Sequence, residues 1–202
     1  YADVEPNRFD YGKMWTLEYA PLDYFEQTYG FRPDDKWIEH VRMSALRFSS
    51  FCSASFVSPN GLVMTNHHCS RGEVGKVMKE GEDFDKDGFY AQSEGDERRV
   101  SGLYVKQLAR IADVSKTVAE YTAKASTPEE IAQMRDSALK VLITEYSAKD
   151  GWQDLKVEPV NYYSGGRYSL YGYKRYDDVR LVLIPELQLG YFGGDPDNFT
   201  FP

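Results

Sequence analysis

Residues Phe51–Ser70 read FCSASFVSPNGLVMTNHHCS. The stretch carries the signature of two β-strands joined by a tight turn. Phe56 and Val57 lie in a β-prone run. In Ser58-Pro59-Asn60-Gly61, Pro presets φ for a turn and Asn-Gly tolerates positive φ. Leu62, Val63 and Met64 form a second short apolar strand, and Thr65-Asn66-His67-His68-Cys69 reads as its end. Cys52 and Cys69 are the only cysteines, and they bracket the hairpin. Antiparallel strands joined by a short turn bring their ends together, so a Cys52–Cys69 disulfide is geometrically reasonable. Two free buried thiols are the alternative.

The His68-Cys69 pair resembles the first barrel of a chymotrypsin-like serine peptidase, where the general-base histidine directly precedes a cysteine bonded back to the preceding strand. That resemblance makes His68 the candidate base. The chemistry needs an imidazole, which titrates near neutrality and can take and return one proton per step. If the strand continues through His68, His67 points to the opposite face. The plain alternative is a packed histidine at a strand end. The third histidine, His40, falls in a segment read as helix and is taken as a surface residue. Adjacent His67 and His68 with a distant His40 offer no HxxxH-type ligand spacing, so a metal hydrolase is not expected.

The 202 residues are 42% hydrophobic and 15% aromatic, which places the chain among globular proteins. A net charge of −8 without a Lys/Arg cluster argues against nucleic acid as a partner. No apolar run approaches the roughly 20 residues of a membrane span. No signal peptide is visible at Tyr1, and two cysteines placed to pair favour an oxidising compartment, so the expectation is a mature periplasmic or secreted bacterial protein.

Along the chain, residues 1–14 read as a polar, aromatic arm, and Pro21 and Gly30 break the segment from Met14 to Phe31. Asp34 to Phe48 reads as helix, with Trp37, Ile38, Val41, Leu46 and Phe48 on one face. Asp83, Asp85, Asp87, Gly88 and Glu94 match a calcium loop on paper, but Gly81 interrupts the incoming helix, so a solvated acidic loop is expected. Leu103 to Tyr121 reads as a strand passing into a helix. Thr127-Pro128-Glu129-Glu130 is a helix start, with Thr127 as N-cap, Pro128 at N1 and Glu130 completing a capping box. Ile131, Met134, Ala138, Leu139, Val141, Leu142 and Tyr146 then form an apolar face. From Leu155 the pattern is β: a strand over Lys156–Tyr163, a turn at Ser164-Gly165-Gly166, an alternating aromatic strand from Tyr168, and a buried strand over Asp178–Ile184 ended by Pro185. The composite expectation is a mainly β fold with helical insertions.

Four segments in order, GKMW (12–15), SPNGLVMTNHHC (58–69), YSLYGYKRYDDVRLVLIPE (168–186) and FGGDPDNFTFP (192–202), resemble the bacterial dipeptidyl-peptidases of the seven and eleven type. The resemblance implies the first half of a chymotrypsin-like double β-barrel. It implies that His68 is the general base of a Ser-His-Asp triad and that Cys69 bonds back to the preceding strand. It also implies that Asn198 and Phe199 bind the free amino terminus of a peptide substrate, Phe199 standing where the family has Trp. Around the first cysteine the family is glycine-rich, where this chain has Ser49-Ser50-Phe51. The family's catalytic aspartate follows the Phe-Pro step at Phe201-Pro202, and its serine, oxyanion hole and helical cap come later. Residues 1–202 are therefore expected to be an N-terminal portion of a longer exported enzyme, inactive alone. No cofactor, nucleic acid or membrane span is implied, and a homodimer of the full-length enzyme is admitted.

Two other readings stay open on residues alone. A complete small trypsin-like peptidase would use Ser164 as nucleophile, with Asp195 or Asp197 as the acid. A non-catalytic module would bind calcium at the acidic loop, or peptide at an aromatic surface.

Overall fold

The computed structural model describes residues 15–188. The chain divides into two units, Tyr1–Arg42 and Met43–Pro202. In the first, a 3-10 turn at Leu17–Tyr19 precedes helix α1 (Leu22–Tyr29). Pro21 and Gly30, read from sequence as breaks, bound α1. Gly30 takes φ 64° and donates its N–H to the Glu26 carbonyl at 3.0 Å, a left-handed helix end suited to glycine. Arg32 pairs with Asp23 at 2.9 Å and Glu26 at 3.0 Å on the exposed side. Helix α2 (Asp35–Ser44) starts where the Asp34 carboxylate accepts the Trp37 N–H at 2.8 Å.

The helix expected to run to Phe48 stops at Ser44, and Ala45–Phe48 is strand β1. Leu46 and Phe48 are buried while Ala45 and Arg47 are exposed, a period of two. The competing force is sheet pairing: β1 is hydrogen-bonded on both sides, which local helical periodicity cannot match.

The second unit continues with β2 (Cys52–Phe56), β3 (Val63–Thr65) and α3 (His67–Val74). Then come α4 (Phe84–Asp87), β4 (Phe89–Tyr90), β5 (Arg98–Arg99) and β6 (Val105–Asp113). Helices α5 (Ser115–Thr122) and α6 (Pro128–Ser147) lead to β7 (Lys156–Tyr162), β8 (Arg167–Tyr176), β9 (Arg180–Leu181) and β10 (Leu183–Ile184). The main sheet is antiparallel in the order β3-β2-β1-β6-β8-β7, with a bulge in β6 between Leu108 and Arg110. Strands β10 with β4, and β5 with β9, form two small sheets.

One core gathers Leu46, Phe48, Cys69, Val100, Leu103 and Val105 under the β1–β3 end of the sheet. A second packs α5 and α6 on the β8 end through Val114, Val118, Leu142, Trp152 and Leu170. Gly172 admits Trp152 here, since a Cβ on it would lie 3.0 Å from the indole and 2.8 Å from Leu155. The capping box at Thr127 and Glu130 is present as read. On α6, Ala138 and Leu142 are buried, but Ile131 and Val141 are exposed, so the packed face is narrower than the sequence stripe. Val74, Phe84 and Ile184 make a third core.

Two further expectations change. Asp178–Ile184 is not one buried strand: β9 and β10 are two residues each, and Leu183 is 60% exposed. Each half pairs with a different short partner, which splits the run. The stretch from Asp83 is not an open loop. Asp83 caps α4, accepting the Lys86 N–H at 3.3 Å, and its carboxylate pairs with Lys86 Nζ at 3.2 Å. Beside it, the Arg98 guanidinium forms a two-pronged pair with Glu82 and stacks over Phe89 at 4.4 Å. That pair holds the Glu82 carboxyl down to about 2.

Candidate active site

The hairpin forms as the sequence reads. Phe56 opposes Val63, Ser55 opposes Met64 and Ala54 opposes Thr65. Ser58 Oγ accepts the backbone N–H groups of Asn60 and Leu62, at 3.3 and 3.1 Å, which fixes the turn. At the far end, Thr65 Oγ1 donates to the Ser53 carbonyl at 2.8 Å and ties β3 to β2. Cys52 and Cys69 are joined in a disulfide, with Cα atoms 6.1 Å apart.

The histidines do not end a strand. Asn66 is extended, with φ −71° and ψ 148°, and α3 begins at His67. Strand alternation therefore does not separate the two rings. They stand on the first turn of a helix, about 100° apart around its axis. Both ring nitrogens of His67 are buried, without a hydrogen-bond partner among the described residues. Burial, then Arg71, then His68 push its pKa down, which favours the neutral ring.

His68 is half-buried on the wall of an open depression of about 480 Å³ lined by Arg47, Ser50, Phe51, Cys52, Ser53, Asn66, His68 and Cys69. A ring nitrogen of His68 and both disulfide sulfurs lie within 4.8 Å of one another. Those sulfurs are bonded to each other, so they are not thiolate ligands, and the trio is a packed imidazole-disulfide contact rather than a metal centre. Of the two adjacent histidines, His68 is the one presented to a space a substrate could enter.

Ser164 is not brought to this place. It sits in the turn between β7 and β8 with φ 53°, next to Tyr163 at φ 54° and Gly165 at φ 101°. Strand β7 is at the opposite edge of the sheet from β3, and Ser164 does not line the depression. The turn role read from Ser164-Gly165-Gly166 is what the backbone shows. His40 lies on α2. Asn198 and Phe199, with Asp195 and Asp197, lie outside the described residues. Arg47, Ser50, Ser53 and Asn66 were missed from sequence. The signal for Arg47 was the alternation Ala45-Leu46-Arg47-Phe48, obscured by its reading as helix.

An antiparallel sheet in this order, with helices inserted between its strands, is half of a chymotrypsin-like double barrel. The family model for peptidase S46 matches residues 9–202, and the chain belongs to that family. It is 33% identical over 157 residues to a dipeptidyl-peptidase 7 of Phocaeicola vulgatus, covering 77% of this chain and 22% of the relative. An Asp/Glu-specific dipeptidyl-peptidase of Capnocytophaga gingivalis is 33% identical over 162 residues, covering 80% of this chain and 22% of its own length. A crystal structure of DPP11 from Porphyromonas endodontalis matches with a TM-score of 0.64 at 28% identity, over 80% of this chain and 23% of that one. The same protein has been crystallised with the dipeptide Arg-Glu and with substrate. The chain thus spans about a fifth of the length of the relatives it matches. Among the described residues, no helix is long and apolar enough to cross a membrane.

Proposed function

We propose that this chain is the N-terminal part of a serine-type dipeptidyl-peptidase, in which His68 is the general base and Asn198 and Phe199 hold the free amino terminus of the peptide. The observation that carries the reading is His68 on the wall of the depression, packed on the Cys52–Cys69 bridge, in a chain of the peptidase S46 family. In this scheme His68 takes the proton of a serine hydroxyl supplied by the remainder of the protein as the oxygen attacks the peptide carbonyl. It returns that proton to the leaving amine, and a second cycle with water releases the dipeptide. The Asn198 side-chain carbonyl accepts from the substrate ammonium, and the Phe199 face attracts it, so the distance from amino terminus to scissile bond is set at two residues. The disulfide suits an oxidising location, and export to the periplasm or beyond belongs to the same reading, as does a homodimer of the full-length enzyme.

The test is release of a fluorophore from dipeptide substrates by the full-length protein, its His68→Ala variant, and residues 1–202 alone. Full-length His68→Ala is expected to lose at least about 10⁴-fold in kcat, and the isolated chain to show no turnover. Full activity in a folded His68→Ala protein removes His68 from the chemistry. Turnover by the isolated chain that disappears with Ser164→Ala supports a complete small peptidase instead.

A further inference from the structure

The Cys52–Cys69 bridge is not all that holds its two cysteines in place. Cys52 pairs with Phe48 of β1 in the main sheet. Strand β2 is laddered to β3, and Thr65 Oγ1 donates to the Ser53 carbonyl at 2.8 Å. Cys69 donates its N–H to the Asn66 carbonyl at 3.0 Å and is buried in the first core with Leu46, Phe48 and Val105. Cleaving the sulfur–sulfur bond therefore leaves both side chains anchored beside the His68 ring. The two sulfurs and a ring nitrogen of His68 already lie within 4.8 Å of one another. Around a tetrahedral zinc ion, with bonds of about 2.3 Å to sulfur and about 2.0 Å to nitrogen, ligand atoms stand about 3.5–3.8 Å apart. Sulfurs on Cα atoms 6.1 Å apart reach that separation by rotation about their Cα–Cβ bonds. Two thiolates and an imidazole are a ligand set that suits zinc. The set opens on the depression of about 480 Å³, so an ion can enter and a water can take the fourth position.

We propose that reduction of this bridge turns Cys52, His68 and Cys69 into an inhibitory zinc site. Cys52 is half-buried and lines the depression, while Cys69 is buried. A small thiol in the depression therefore attacks Cys52 Sγ, forms a mixed disulfide there and expels the Cys69 thiolate. A second small thiol frees Cys52. Two electrons and two protons pass to the protein, and the two small thiols leave as their own disulfide. Zinc then displaces the protons of both cysteines and binds the neutral His68 ring. A neutral imidazole has a single basic lone pair, so whichever nitrogen binds zinc, the ring can no longer accept a proton from a serine. The inhibition rests on the peptidase reading above; the binding of the metal does not. Reduction without zinc leaves that lone pair available, and only reduction together with zinc removes it.

The experiment uses the full-length protein, reduced with a water-soluble phosphine that takes the oxygen of one water as the bridge becomes two thiols, and then freed of phosphine. Cobalt(II) serves as the coloured stand-in for zinc. The reduced protein is expected to bind one equivalent with a thiolate-to-cobalt charge-transfer band that zinc bleaches, and the oxidised protein to show no band. Cys52→Ser with Cys69→Ser is expected to abolish the band, and His68→Ala to weaken cobalt binding by at least about 10-fold. With dipeptide substrates, zinc equimolar with the protein is expected to slow the reduced form by at least about 10-fold, reversibly on adding a chelator, and to leave the oxidised form unchanged. No band in the folded reduced protein overturns the proposal, as does a band of unchanged affinity in His68→Ala or an equally strong one in the double serine variant. Reduction that unfolds the protein, read by circular dichroism, overturns it because the ligands are then not held. Equal zinc inhibition of the oxidised and reduced forms overturns it too. A wild type that cleaves no dipeptide substrate fails the peptidase reading and takes the inhibition with it, while the cobalt band still decides the metal site.

Discussion

His67 and Ser49 are residues whose local chemistry runs against their position. Ser49 takes φ 53°, a conformation that costs an L-residue about 1–2 kcal/mol and glycine almost nothing. It begins the Ser49-Ser50-Phe51 turn that joins β1 to β2. His67 is half-buried with both ring nitrogens shut away beside Arg71 and His68, which favours its neutral form. Its folded-state pKa is below the 6.5 of a free imidazole, so the unfolded chain takes the proton first as pH falls. The stability linked to this ring is therefore fully present above about pH 6.5 and declines as pH falls below it toward the folded-state pKa. Denaturant melts of the full-length protein and of His67→Phe at pH 7.5 and 5.5 should show the wild type losing more on acidification. Parallel pH profiles would mean that the His67 ring titrates alike in the folded and unfolded chains. At this scale the Cys52–Cys69 bridge was legible in the sequence, because the two cysteines bracket one hairpin. The sequence could not show Glu82 with Arg98 or Arg47 with Tyr173, whose partners are set by packing between elements.

Among the elements, those with local start signals were legible and those made by pairing were not. Thr127, Pro128 and Glu130 announce α6 without help from the rest of the chain. The hairpin is announced by Ser58-Pro59-Asn60-Gly61. Strand β1 was hidden inside a helical pattern, since only β2 and β6 make it a strand. The start of α3 was hidden as well, and with it the placement of the two histidines. Helix α3 is joined to β2 by a bridge between residues 17 apart in sequence, a closure worth about 3 kcal/mol. Because the bridge also packs against the His68 ring, removing it should act on both stability and rate. Cys52→Ser with Cys69→Ser is expected to lower the unfolding free energy by about that amount and to reduce kcat of the full-length enzyme with KM less affected. A destabilised variant with kcat intact would confine the bridge to a structural role.

For the whole molecule, net charge and composition said nothing of where the acidic groups go. The Asp83–Glu94 stretch, calcium-like on paper, folds with Asp83 committed to Lys86 and Phe84 buried in the third core. A calcium ion would have to break that cap and turn a core-bearing helix into a loop. Calcium at millimolar concentration is therefore expected to leave the melting temperature unchanged, as read by differential scanning fluorimetry. A rise that vanishes in Asp83→Ala would restore the binding-module reading.

The Cys52–Cys69 bridge has a topological consequence. It makes residues 52–69 a covalent ring in which the Pro59-Asn60-Gly61 tip of the turn is exposed. A protease that cuts that turn opens the ring without releasing either half. The nicked protein gains the mass of one water and migrates as one chain until a thiol is added, and only then do two pieces separate. The β2 strand and the histidine helix thus stay tethered through a first cut.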